Sequence, residues 1–284
     1  METKSKDDVI NDLYRRAFGE VTEDVREGRI SREAALDIMR SAALEFYPEC
    51  VHAFGHGSAL KGKFSPYSDM DVIVYVPTGQ FWEKRCVNYK GHIVEIQAYS
   101  LDSLQLFAMF AANSGIALGL VPLDAEIVFD RDGGAAALKA ELAVKINAGP
   151  DAPPNLVLES YRLKLTNLIV ELATAQKPAE KVACGLQMYE QISRVLLTKA
   201  TGWLHSGKWV PRMLEASGSN VFDTLVSAYR ALMADDTTPL VFFACETLES
   251  IGGPFWDGYV QQTPFRMELL PVPTIIIAGQ QFRA

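Results

Sequence analysis

The spacing of apolar and polar positions changes character twice along this chain. Near the start, Val9, Leu13, Ala17 and Val21 recur at helical intervals. A second helix is expected after Gly28: Ser31 is a suitable N-cap, Ala34, Ile38 and Ala42 share one face, and Pro48 ends the pattern. The period then shortens. Residues 51–54, 71–76 (DVIVYV), 92–99 (HIVEIQAY) and 125–129 read as strands, rich in β-branched and aromatic side chains. Apolar helical segments over 103–114 and 135–146 lie among them. The stretch 147–154 (NAGPDAPP) is dense in Gly and Pro and marks a domain boundary, giving a first domain of residues 1–150 and a second of 151–284. Beyond it, long helical periodicity predicts helices over 156–175, 179–201, 221–233 and 239–251. The tail after Pro254 is irregular, with 274–277 (TIII) either a late strand or a packed apolar segment. The fold class is therefore α+β: a small mixed sheet flanked by helices, followed by an all-α bundle.

Composition narrows this picture only a little. A chain of 284 residues has room for two domains, and at 49% hydrophobic and 22% charged it has the apolar content to build their cores. No apolar run approaches the roughly 18–20 residues that span a bilayer. The polar start, Met1 to Asp8, lacks the apolar centre of a secretion signal. A cytoplasmic protein with no membrane partner is expected. Cys50, Cys86, Cys184 and Cys245 are widely spaced with no CxxC pair, so we expect reduced, mostly buried thiols rather than disulfides or a zinc site. The formal net charge of −8 argues against a nucleic-acid backbone as partner and leans towards a cationic one.

Chemistry concentrates between Gly55 and Val76, GHGSALKGKFSPYSDMDVIVYV. A strand ends in a Gly57-Ser58 turn. A polar link of ten residues, Ala59 to Ser68, follows, and then Asp69-Met70-Asp71 opens the next strand. Side chains at i and i+2 of a strand share a face, so Asp69 and Asp71 aim two carboxylates at one point. Such like charges repel unless compensated. Mg²⁺, a hard cation that takes carboxylates together with substrate phosphates, compensates them. One or two such ions between the acids suit an in-line displacement at phosphorus. Gly57 and Ser58 offer backbone N–H groups and a hydroxyl to phosphates, with glycine permitting close approach. A third acid is expected, and Glu95 is the best placed: it sits mid-strand with Ile93 and Gln97 on its face while Val94 and Ile96 face the core. Metal ligand and general base are both open to it. Asp102, Asp124 and Glu126 are its rivals.

The run of strand, Gly57-Ser58, ten residues, Asp69-Met70-Asp71 and a β-branched strand resembles the signature of the polymerase-β-like nucleotidyltransferase superfamily. That superfamily includes the kanamycin-type and other aminoglycoside nucleotidyltransferases. The resemblance covers residues 51–97, and His56 departs from it where an apolar or aromatic residue is more usual. It implies transfer of a nucleoside monophosphate, AMP from ATP or the equivalent from another nucleoside triphosphate, to a hydroxyl of a small-molecule acceptor. An aminoglycoside is one candidate acceptor, and pyrophosphate is released. It further implies that Gly57 and Ser58 hold the triphosphate, that Asp69 and Asp71 bind Mg²⁺, and that Glu95 is the third acid. Two alternatives remain: an enzyme that adenylylates a protein or tRNA, and a nucleotide-binding or interaction module without catalysis. The oligomeric state is open, a homodimer included.

In the second half, Gly202 to Trp209 (GWLHSGKW) sets two tryptophans around a glycine-linked lysine. Similar Gly-Lys-Trp segments occur in helical domains of the superfamily, which implies that Lys208 reaches nucleotide phosphates or that Trp209 shapes an acceptor pocket. A helix-connecting loop pinned by aromatic packing accounts for the same residues. Lys61, Lys63, His56, His92, Arg162 and Lys164 are expected to be surface or structural groups.

Overall fold

The computed structural model describes residues 5–79, 82–117, 119–153, 155–260, 274–277 and 280–283. By compactness the chain divides into two units. One comprises residues 1–153 with 193–226, the other residues 154–192 with 227–284.

The first unit opens with three helices, α1 (Lys6–Phe18), α2 (Glu23–Glu27) and α3 (Arg32–Phe46). Ser5, Thr22 and Ser31 cap them, each side-chain oxygen accepting from a backbone N–H three residues on. The apolar stripe of α1 lies one residue away from the one expected. Val9 and Leu13 are exposed, and the half-buried apolar positions of α1 are Ile10, Tyr14 and Phe18. Tyr14 stacks on Tyr67 with ring centroids 4.0 Å apart. In α3 the expected face is kept in part: Ala42 is buried and Ile38 packs against the core, Ala34 is exposed, and Ala35, Met39 and Ala43 widen the buried set. Helix α1 carries two adjacent apolar stripes, and the one with the larger side chains is the one turned inward.

The sheet has the order β3-β4-β2-β1-β5, from strands β1 (His52–His56), β2 (Met70–Val76), β3 (Trp82–Tyr89), β4 (His92–Ser100) and β5 (Glu126–Asp130). Only β2 and β4 run parallel. Strand β3 is a finding. Its sequence, WEKRCVNY, puts Glu83 and Arg85 on the face that an amphipathic strand would make apolar, which hides it from a hydrophobic pattern. The charges are absorbed locally: Tyr47 donates to Glu83 at 2.6 Å, and the Arg85 guanidinium lies over the Phe46 and Tyr47 rings. Lys90 and Gly91, both at positive φ, join β3 to β4 in a two-residue hairpin turn.

Alternation sorts the sheet into two faces. Met70, Val72 and Val74, with Val94 and Ile96, pack with Met39, Ala42 and Ala43 of α3. Met39 fits because Gly55 is bare there: a Cβ at that position would strike its sulfur. The opposite face carries Phe54, Ile73, Tyr75 and Tyr99, which share a core with Ala111, Ala135, Leu142 and Trp203. Helices α4 (Leu104–Ser114) and α5 (Ala135–Ala148) contribute to that cover. Its polar continuation along the strands is His56, Asp71 and Glu95.

In sequence beyond these elements come α6 (Asn155–Thr174), α7 (Pro178–Ala200), α8 (Trp209–Ala216), α9 (Val221–Met233) and α10 (Thr238–Glu249). Residues 193–226, including α8, belong to the first unit, where Leu197, Val210 and Leu214 form a small core. In the second unit, Gly185 of α7 permits a close crossing: a Cβ there would meet Leu232, and Tyr229 donates to the Gly185 carbonyl. Arg162 of α6 donates to the Gly253 carbonyl at 2.8 Å and lies over the Phe255 ring, a structural use of that side chain. Strands β6 (Thr274–Ile277) and β7 (Gln280–Arg283) pair antiparallel, so the TIII segment is a strand. The molecule is thus an α+β protein, a five-stranded mixed sheet flanked by helices with a helical region after it. Among the described residues, no helix is long and apolar enough to cross a membrane. Of the four cysteines, expected to be mostly buried, Cys50 is buried, Cys184 and Cys245 are half-buried and Cys86 is exposed.

Candidate functional site

Register brings the acids together. Asp71 of β2 lies directly opposite Glu95 on parallel β4 and opposite His56 on antiparallel β1. Paired residues on neighbouring strands share a face, so His56, Asp71 and Glu95 form a row across three strands. Asp69, two residues before Asp71, joins it from the strand's entry. Asp69, Asp71 and Glu95 each offer a carboxylate oxygen, and the three oxygens lie within 4.8 Å of one another.

The turn after β1 meets this cluster. Gly57 has φ +98°, and a Cβ built on it would land on Asp71 Oδ2. Both the conformation and the space therefore call for glycine. Ser58 follows in a helical conformation, its side chain making no cap hydrogen bond, and its carbonyl accepts from Lys61 and Lys63 N–H at 3.2 and 3.0 Å. The 3-10 turn Ala59–Lys61 is pinned further by the ion pair of Lys61 with Asp124. Gly57 and Ser58 thus stand at the acids, while Lys61 and Asp124 are spent on each other.

Electrostatics mark Asp71 as the strained member. Burial pushes its carboxyl up to about 7, and the neighbouring charges of Asp69 and Glu95 push the same way, with Lys208 and Lys84 opposing. Burial lowers His56 below the ordinary histidine value, while the charges of Asp124, Glu95 and Asp69 pull the other way. Glu95 is the best-supported acid: Oε2 accepts from Lys84 Nζ at 2.8 Å and Oε1 from Gln97 Nε2 at 3.2 Å. Lys84 was not visible as a site-lining residue from sequence, because β3 itself was not. Its signal was the alternation of Trp82, Lys84, Cys86 and Asn88, which all take the exposed side.

Lys208 belongs to the same compact unit as Asp71, and its charge acts on it. The loop that carries Lys208 is anchored by aromatic packing. Trp203 is buried and donates Nε1–H to the Ile146 carbonyl at 3.1 Å, whereas Trp209 is partly exposed beneath Arg212. Packing and charge thus both describe the segment, in different residues.

A second group of potential ligands, His52, Asp130 and Asp132, lies at the far end of β1. Asp130 accepts from Gly133 and Ala135 N–H as well as facing His52 at 3.2 Å, and Asp132 accepts from Gly134 N–H. Those atoms hold the turn into α5.

Comparison with known proteins adds modestly to this geometry. No family model and no curated protein matches the chain. Eleven chains of solved structures are similar to it. Among them is a nucleotidyltransferase-like protein from Exiguobacterium sibiricum 255-15, 14% identical, with the match covering 76% of this chain and 73% of that one at a TM-score of 0.37. A likeness that loose carries no argument about chemistry, which rests on the site itself.

Proposed function

We propose that this chain is a divalent-cation-dependent nucleotidyltransferase. One observation carries the reading: three carboxylates on one sheet face converge within 4.8 Å beside a glycine turn that has no room for a side chain. Three hard oxygen donors at this spacing, one of them pushed up to about 7 by burial and like charge, fit a cation such as Mg²⁺. Asp69, Asp71 and Glu95 would hold it. Once bound, the cation would neutralise phosphate charge and favour an ionised acceptor hydroxyl.

The chain's own residues supply the rest. Gly57 and Ser58 present backbone N–H groups and a hydroxyl to the distal phosphates. Lys208 adds positive charge on the nucleotide side. The acceptor oxygen bonds to the α-phosphorus as the bond to pyrophosphate breaks, and the hydroxyl proton passes to solvent or to a basic group. The nucleotide is read as ATP, the transferred group as AMP, and the acceptor as a small hydroxylated molecule, with cationic aminoglycosides favoured by the net charge of −8.

Pyrophosphate release from each of the four nucleoside triphosphates, with Mg²⁺ and a panel of aminoglycosides, other hydroxylated amines, tRNA and acceptor proteins, tests the proposal. Turnover that disappears in a folded Asp71→Ala variant supports it. Stabilisation by nucleotide with no turnover on any acceptor leaves a nucleotide-binding module in its place.

A further inference from the structure

We infer that Gln97 and Tyr99 are positioning residues that hold the Glu95 carboxylate on the cation site. The inference rests on the cation-binding reading above and deepens it. Glu95, Gln97 and Tyr99 occupy alternate positions of β4 and so share one face. Tyr99 is 1% exposed and its ring is fixed by packing with Tyr75 and Phe107. Its hydroxyl donates to Gln97 Oε1 at 2.9 Å. The Glu95 carboxylate can only accept, so the amide must turn Nε2 towards it, and Nε2 donates to Oε1 at 3.2 Å. That leaves the amide oxygen facing Tyr99, whose hydroxyl supplies the proton it accepts. Lys84 takes the other carboxylate oxygen. A glutamate on a strand has three rotatable side-chain bonds, and these contacts select the rotamer that brings it within reach of Asp69 and Asp71.

The relay runs from the hydrophobic core to the site. Tyr99 is anchored among buried aromatics at one end, and the acid cluster stands at the other. Groups that orient ligands from behind tune metal affinity even though they never touch the metal. Gln97 therefore acts through Glu95, and Tyr99 acts through Gln97.

Mn²⁺ binding to the full chain, followed by the loss of the free-ion electron paramagnetic resonance signal, tests this without any turnover. Gln97→Met keeps the length and removes both amide groups. It is expected to weaken Mn²⁺ binding about 10-fold. Tyr99→Phe keeps the ring packed and frees the amide to rotate, and a weakening of roughly 3-fold is expected. In the Gln97→Met background Tyr99→Phe should have no further effect, since its only route to the site is gone. Circular dichroism melts establish that each variant is folded. Wild-type affinity in a folded Gln97→Met protein overturns the inference, as does a Tyr99→Phe effect of equal size in both backgrounds. A wild-type chain that binds no Mn²⁺ overturns the cation site itself and the relay with it, which separates the two failures.

Discussion

Gly57 is the residue where conformation and chemistry meet. Its φ of +98° is strained for any other residue, and a methyl group there would collide with Asp71 Oδ2. Gly57→Ala is therefore expected to displace the Asp71 carboxylate and to cost about 1–3 kcal/mol of stability, read by urea unfolding. Transfer should fall by at least about 100-fold, as expected when a catalytic group shifts by an ångström. Unchanged stability and turnover would mean that turn and acid do not touch. Asp71→Asn makes the complementary case. It removes one of three crowded, partly buried charges, so in the presence of EDTA the variant should be more stable than wild type by on the order of 1 kcal/mol. Mg²⁺ should raise the melting temperature of wild type and not of the variant, because a ligand that binds only the folded state stabilises it in proportion to its affinity. A variant that melts below wild type in EDTA would show that Asp71 is held by contacts rather than opposed by its neighbours.

Elements differ in how legible they were, and the reasons are physical. β2 and β4 were visible because both faces of β2 and one face of β4 are apolar, and the i, i+2 rule was enough to put Asp69 with Asp71. Placing Glu95 opposite Asp71 needed the parallel register, which no local pattern encodes. β3 was missed because an edge strand with charges on both faces has no hydrophobic signature. The stripe of α1 lies one position from the expected one because the helix offers two adjacent apolar rows and packing chooses between them, whereas in α3 Ile38 and Ala42 of the expected face do reach the core. Short α2 and α8 were not anticipated either, for brevity leaves too few positions to show a period. The hairpin that completes β3 is tied down by one side chain. Asn88 Oδ1 accepts from Gly91 N–H at 2.9 Å, and Nδ2 donates to the Phe18 and Glu20 carbonyls, each at 2.6 Å. Asn88→Ala releases all three, and a loss of about 1–2 kcal/mol is expected. Because the same residue links the turn to the end of α1, hydrogen exchange should quicken in both places, and protection lost at the turn alone would show that the α1 contacts contribute nothing.

At the scale of the whole molecule, acid acts on the fold through opposing groups. Burial lowers His92 and His205 below the ordinary histidine value of 6.5, and His92 Nδ1 is buried without a hydrogen-bond partner. The unfolded chain therefore takes up these protons first as pH falls. Their contribution to stability is intact above pH 6.5 and declines from there until the folded-state values are reached. Asp71 has the reverse sign: its raised value makes its ionisation unfavourable to the fold, so acid relieves it between about 7 and 3.8. The net charge of −8 also eases on acidification, but at physiological ionic strength charges more than about 8 Å apart are largely screened, whereas buried groups are not. A single melting curve against pH mixes these contributions, so the histidine part must be taken as a difference. His92→Gln removes one titrating ring from the start of β4. Relative to wild type it should gain stability as pH drops from 7.5 to 5.5, and the same comparison in an Asp71→Asn background should give the same difference if the two groups act independently. A wild-type-minus-variant difference that is flat across that range would mean that His92 is protonated as readily in the folded chain as in the unfolded one.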